Sequence, residues 1–307
     1  MITVAGFNTA IDRSISVDAL VPGTVRRATR VDARLGGKGL HVAQTIAALG
    51  SAVQLIGLTD IFHRDHLTTH LRDRGVQFHG VERAAPLRCN LALREDDGRS
   101  TEILDPGSVI DATVRQQLLD TLFRCVENSR CVVLSGSLPP GFADDTYAEL
   151  VRAIELPCLV DASGATLLKA AESGAHLLKP NRDEAGALAG QPVRSIDDAA
   201  ALARSLHARG IARPVVTLGE QGAVGFDGSE LWHASIEIER SGDAVGSGDC
   251  FLAGMAVELS RGGDLAEALL TAVACGAANT RHAEAGYVDR AVVDELRVQV
   301  RMKRIIG

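Results

Sequence analysis

Little in this sequence points to a polyanion or a membrane as its main partner. The 32 basic and 39 acidic residues are interspersed, for a net charge of −7, with no long run of either sign. That argues against a nucleic-acid or anionic-lipid surface. No window approaches the roughly 18 apolar residues of a membrane-spanning helix. The opening residues Met-Ile-Thr-Val-Ala-Gly-Phe-Asn lack a basic leader and read as a first strand, not a secretory signal. Proline is modest, at 9 residues, and no Pro/Ser-rich linker or internal repeat divides the chain. The six cysteines, Cys89, Cys125, Cys131, Cys158, Cys250 and Cys275, form no CxxC pair. Their spacing suggests neither a disulfide framework nor a zinc knuckle, and they are expected as buried free thiols in a reducing cytoplasm.

What is present is apolar. Of 307 residues 46% are hydrophobic, enough to bury a core that offsets chain entropy, so disorder is excluded. Strands are expected over 2–6, 53–57, 131–134, 158–161, 176–179 and 215–218. Helices are expected over 41–49, 64–74, 112–125, 146–154, 196–209, 249–260, 265–282 and 291–303. Continuous apolar strands separated by helices indicate a parallel sheet covered on both faces. Two segments break the rhythm. Residues 14–35 read as strands (14–17 and 25–33) without a helix between them, and 88–104 as a hairpin turning at Asp96-Asp97-Gly98. Paired, they would form a small sheet beside the main body. The chain then reads as one α/β domain over 1–307 with a lid from segments of about 13–36 and 87–105.

Four motifs carry chemistry. In Asp243-Ala244-Val245-Gly246-Ser247-Gly248-Asp249 the glycines let backbone N–H groups converge at a helix N-terminus, an anion site aided by the helix dipole. Asp249 falls in the first turn of that helix. Phosphoryl transfer to an alcohol needs a base for the hydroxyl proton and donors for the developing charge. An N-capping aspartate after a glycine turn fits the same residues. Gly36-Gly37-Lys38-Gly39 is not a P-loop, because Leu40 follows Gly39; its glycines either let a ligand approach the backbone or make a plain turn. Asn181 and Glu184 begin a helix after Lys179-Pro180 and could hold water around Mg²⁺, or form a cap with its capping-box partner. Asn8 and Asp12, just past the first strand, are placed for sugar hydroxyls or for a turn. His66 and His70 lack the glutamate of HExxH, and Gly222 and Gly225 do not make a dinucleotide turn.

The order of these motifs resembles the PfkB (ribokinase-like) carbohydrate kinases, within them the 1-phosphofructokinase and tagatose-6-phosphate kinase group. NTAID at 8–12 looks like NPALD, GGKGLHVA at 36–43 like GGKGxNVA, and LSGSLPPG at 134–141 is the group's own run. DASGATL at 161–167, KPNRDE at 179–184, VTLGEQGA at 216–223 and DAVGSGD at 243–249 follow in register. The resemblance implies a three-layer α/β/α body with a β-lid that often packs against a second subunit, hence a homodimer. It implies ATP and Mg²⁺, with Asp249 as base and Gly246, Ser247 and Gly248 lining the anion hole. Asn181 and Glu184, with Lys179, would organise Mg²⁺ and the triphosphate. Thr217, Gly219 and Gly222 would border ATP, and Asn279 would lie near the adenine. Asn8, Asp12, Gly37, Lys38 and the residue at 41 would face the sugar.

Arg88 and Asn90 resemble the RxN of the sugar-phosphate branch, where a planar guanidinium fork suits a phosphate. Ser137 could add a hydroxyl. These residues favour a ketohexose phosphate over a free sugar or nucleoside, the alternative acceptors; a non-catalytic sugar-phosphate sensor is the alternative of another class. The sequence departs from the pattern at Thr9, at Ser247, at the glycine pair expected near Gly57-Leu58-Thr59-Asp60, and at His41, which stands where the family has asparagine.

Overall fold

Strand β1 (Ile2–Ala5) is buried at every residue, as a strand covered on both faces must be. The computed structural model describes residues 1–238, 244–282 and 284–306. After β1 the chain forms β2 (Ala10–Val17), β3 (Arg30–Gly36), α1 (Lys38–Ala48), β4 (Val53–Thr59), α2 (Arg64–Asp73) and β5 (Val76–Glu82). Next come β6 (Arg88–Glu95), β7 (Ser100–Ile103), α3 (Ala112–Val126), β8 (Cys131–Ser135), α4 (Thr146–Ala153) and β9 (Cys158–Asp161). Then follow α5 (Gly164–Ala170), β10 (Leu177–Leu178), α6 (Arg182–Ala189), α7 (Ile196–Ala208) and β11 (Arg213–Thr217). The chain closes with β12 (Ala223–Phe226), β13 (Leu231–Ser235), α8 (Ser247–Ser260), α9 (Leu265–Asn279), α10 (Arg290–Arg297) and β14 (Arg301–Arg304).

The main sheet has ten strands in the order β14-β13-β12-β11-β10-β9-β8-β1-β4-β5. From β5 to β11 neighbours run parallel; β12, β13 and β14 add an antiparallel edge. α1, α8 and α9 pack on one face, α3 and α7 on the other, giving three layers. The reversal of strand order beside β1 opens a crevice at the strands' carboxyl ends, where α/β sheets bind ligands. The expected small sheet forms from both irregular segments, in the order β3-β2-β6-β7.

Two expectations need correction. β3 lies at Arg30–Gly36 and not at 25–33; Val25 is unpaired with β2 and almost fully exposed, and pairing starts where Arg30 meets Ser16. The last helix stops at Arg297, and Arg301–Arg304 pairs with β13 instead, Arg304 lying opposite Trp232. Edge pairing there overrides helix propensity. β5, α5 and the β12–β13 hairpin had no expected counterpart. The departure at Asp60 has a structural use: its buried carboxylate accepts from the amides of Phe62 and His63 and, at 2.7 Å, of Leu87, fixing the root of β6.

Candidate active site

A cleft of about 1370 Å³ runs along the carboxyl ends of the strands and under the small sheet. Of the expected site residues it is lined by Asp12, Gly37, Lys38, His41, Arg88, Asn90, Ser137, Lys179, Asn181, Thr217, Gly219, Gly222, Gly246, Ser247, Gly248 and Asp249. Asn8, Glu184 and Asn279 are not among the lining residues.

α8 brings its N-terminus to the cleft. Gly246 is its N-cap with φ 82°, and no side chain caps the helix, so the positive end of the dipole is left for another acceptor. A Cβ on Gly246 would lie 2.3 Å from the amide nitrogen of Gly286. Asp249 sits in the first turn and is 6% exposed. Asp243, which opens the motif, lies outside the described residues. Two of the expected roles gain detail here: that of Ser247 in the anion hole and that of Asn279 near the adenine. The Ser247 amide donates to Ala244 O at 3.1 Å, so it is already spent. Asn279 is buried behind the loop, its Nδ2 donating to Val245 O (2.9 Å) and Ser247 Oγ (3.0 Å). It braces the loop, while the Ser247 hydroxyl, an acceptor there, still has its own hydrogen to donate.

His41 meets Asp249 directly. Its Nδ1 lies 2.9 Å from Asp249 Oδ2, and its Nε2 3.8 Å from Asp12 Oδ2. Burial would depress the imidazole, but the hydrogen bond and charge of Asp249, with Asp12 and Glu284, raise it above its ordinary value.

The Gly36–Gly39 motif sits between the small sheet and α1; Gly37 lines the cleft, while Gly36 and Gly39 serve packing. A Cβ on Gly36 would lie 1.9 Å from Asp12 Oδ2, and one on Gly39 would lie 2.2 Å from the Cα of Gly6. They make room for a carboxylate and for α1 against β1. Lys38 is thereby aimed at Asp161, 3.6 Å from Oδ1, while Lys179 lies 3.3 Å from Oδ2. Burial pushes the Asp161 carboxyl up, but the two ammonium groups outweigh it and hold it low; in return Asp161 raises Lys38. The Lys179 ammonium is 3.7 Å from where a Cβ of Gly248 would stand, so this pair of cations borders the α8 loop.

The inner face of the small sheet supplies the other wall. Alternate residues point one way along a strand, and Asp12, Arg30, Arg34, Arg88, Asn90 and Arg94 all line the cleft. Asp12 and Asn90 are cross-strand partners, joined by a 2.8 Å hydrogen bond from Asn90 Nδ2. Arg88 donates from Nε to Asn8 O (3.1 Å) and from Nη1 to Asp105 O (3.2 Å). Asn8 Nδ2 donates to Ser137 Oγ at 3.0 Å, so Asn8 orients a cleft residue without lining the cleft itself.

The sequence profile described as the pfkB family of carbohydrate kinases matches residues 3–290. The chain belongs to that family. It is 35% identical over 260 residues to a 1-phosphofructokinase of Xanthomonas campestris pv. campestris, covering 82% of each chain. It is 31% identical over 277 residues to the ATP-dependent 6-phosphofructokinase isozyme 2 of Escherichia coli, covering 88% of this chain and 89% of that one. The crystal structure of phosphofructokinase-2 from Escherichia coli in complex with potassium superposes with a TM-score of 0.88 at 27% identity, over 97% and 98% of the two chains. As a pfkB carbohydrate kinase the protein is a phosphotransferase.

At the α6 end of the cleft, Asn181 and Glu184 form a capping box. Asn181 Oδ1 accepts from the amides of Asp183 and Glu184, and Glu184 Oε2 from the amide of Asn181 at 2.8 Å. Among the described residues no group of three or more His, Cys, Asp and Glu converges as a metal-ligand set. The donors present fit a Mg²⁺ that arrives on phosphates and keeps its waters, not a bare ion held by a protein cage. Gly222, at φ 81°, serves packing: a Cβ there would meet Ala234 O at 1.9 Å, so its absence lets the β11–β12 turn press against β13.

Three cleft residues were given no role by the sequence motifs: Asp161, Arg34 and Arg94. Asp161 opens the DASGATL run, but nothing local says that it neutralises two lysines. Arg34 and Arg94 were legible in principle, since each alternates with Arg30 or with Arg88 and Asn90 along one strand.

Proposed function

We propose that this kinase transfers the γ-phosphoryl group of ATP, with Mg²⁺, to a hydroxyl of a ketohexose phosphate of the fructose-1-phosphate or tagatose-6-phosphate type. One observation carries the reading: a single imidazole separates Asp249 from Asp12 on the arginine-bearing face of the small sheet. A base and a phosphate-selective surface therefore share one cleft. Asp249 takes the proton of the attacking hydroxyl. The N-terminus of α8 and the ammonium groups of Lys38 and Lys179 stabilise the charge that builds on the moving phosphoryl group. Mg²⁺, held through water near Asn181 and Glu184, would neutralise the triphosphate. Thr217 and Gly219 border the nucleotide. Arg88, with Arg34 and Arg94, holds the acceptor's phosphate, and Asp12 and Asn90 hold its hydroxyls. The small sheet acts as the lid that excludes water. Buried free thiols at five of the six cysteines suit a cytoplasmic enzyme.

The name of the Xanthomonas relative favours fructose 1-phosphate, and that of the Escherichia coli relative an acceptor phosphorylated at position 6. A second reading, an unphosphorylated acceptor, is favoured by Arg88, which already spends Nε and Nη1 on carbonyl oxygens. ADP release from ATP and Mg²⁺ decides, measured with fructose 1-phosphate, fructose 6-phosphate, tagatose 6-phosphate, free hexoses and nucleosides. Turnover confined to sugar phosphates is expected; turnover only on free sugars or nucleosides overturns the reading. With the sugar phosphate that turns over, Arg88→Ala is expected to raise KM about 10- to 100-fold, the loss of a charge-assisted hydrogen-bond pair.

A further inference from the structure

We infer that His41 is a positioning residue that couples acceptor binding to the base, because its one ring spans Asp12 on the small sheet and Asp249 on α8. The inference rests on Asp249 being the base. The ring is fixed in place. Gly286 lies so close against it that a Cβ there would fall 2.1 Å from the ring Cγ. Gly286 is itself tied, its amide donating to Asn279 Oδ1 (2.7 Å) and its carbonyl accepting from Gln44 Nε2 (2.8 Å) and Thr45 Oγ1 (3.2 Å). With Oδ2 of Asp249 held by Nδ1 at 2.9 Å, Oδ1 is the oxygen left to meet the acceptor hydroxyl.

The charged groups around the ring come from four directions. Lys38 stands one turn earlier on α1, Asp12 on β2 and Asp249 on α8. Glu284, on the segment after α9, is paired with Arg74 beyond α2 at 2.7 Å. Imidazolium offers an N–H at both nitrogens, neutral imidazole at only one. The charged ring serves both carboxylates; the neutral ring keeps Asp249 and turns a lone pair toward Asp12. Loss of the proton therefore loosens the acceptor side and removes a positive charge that competes with the acceptor hydroxyl for Asp249. Both kcat and the acceptor KM should rise with pH through one shared inflection.

The test uses the full chain with ATP, Mg²⁺ and fructose 1-phosphate, or fructose 6-phosphate if that is the acceptor turned over. His41→Leu removes both nitrogens and is expected to lower kcat at least about tenfold, as losing a hydrogen bond to a charged group would. His41→Asn, whose amide can stand where Nδ1 stands, should recover most of that kcat while raising KM about fivefold, the scale of a screened charge pair. The shared inflection should vanish in H41N. Equal kcat in the two variants, or an inflection that survives in H41N, overturns the inference. If H41L does not fold, the pH profile of H41N carries the test alone. Asp249→Asn separates the two claims. Near-wild-type turnover of D249N overturns the base and the inference together. An inactive D249N with the inflection intact in H41N overturns the inference only.

Discussion

Asp161 is 1% exposed at its side chain and has Lys38 and Lys179 as its partners, so its removal leaves two ammonium groups sharing one wall without a counter-charge. Asp161→Asn is expected to destabilise the fold by about 3 kcal/mol, the low end for breaking a buried pair from one side, since Lys38 is partly exposed. A lowered urea midpoint at unchanged m-value checks it. His41 gives a pH signature in stability. Its imidazole is raised above the ordinary value of 6.5, so the stability it contributes is complete below that value and is lost as pH rises through the raised one. The stability difference between wild type and H41N should therefore shrink from acid to alkaline pH in paired denaturation curves. At this scale the sequence was informative about which residues reach the cleft, and less so about what each one does there. Asn279 and Asn8 stand at motif positions, yet both act through a neighbour, Ser247 and Ser137 respectively. Only tertiary packing shows that distinction.

Elements were legible where their burial is symmetrical. β4 is buried at all seven positions, so its apolar run needs no partner information to be read. The antiparallel edge is different. β12 and β13 have 4 and 5 residues, and their hairpin signal, Asp227-Gly228, is brief. β14 reads as helix because its pairing partner lies some seventy residues earlier in the chain, out of reach of any local pattern. The glycine motif shows the same limit: its spacing is visible, but its cause is the contact of α1 with β1. Gly39→Ala would push a methyl group against the Gly6 Cα and is expected to cost about 1–3 kcal/mol through overpacking. Because α1 carries Lys38 and His41, kcat should fall with stability. Unchanged stability with reduced kcat would instead point to a ligand at that backbone.

At the scale of the whole molecule, the small sheet has two unlike faces. The inner one bears Arg30, Arg34, Arg88 and Arg94. The outer one bears Ile15, Val31, Leu93 and Ile103, of which Val31 is 56% and Ile103 54% exposed. A homodimer of the kind the family resemblance implies would cover this apolar face. Wild type should behave as a dimer by light scattering, and Val31→Asp as a monomer that still folds; a wild-type monomer would discard the pairing. Two irregular segments far apart in sequence were enough to expect this sheet, because they alone lacked helices between their strands. Which of its faces meets solvent could be read only after the register was known. The scarcity of aromatic residues has an experimental consequence as well. The lone tryptophan, Trp232, sits in β13 with the chain's final strand as its neighbour, and it does not line the cleft. Intrinsic fluorescence is thus a built-in reporter of whether the C-terminal strand is docked. If emission shifts before activity is lost on heating, the molecule frays from that margin inward while the catalytic half stays intact.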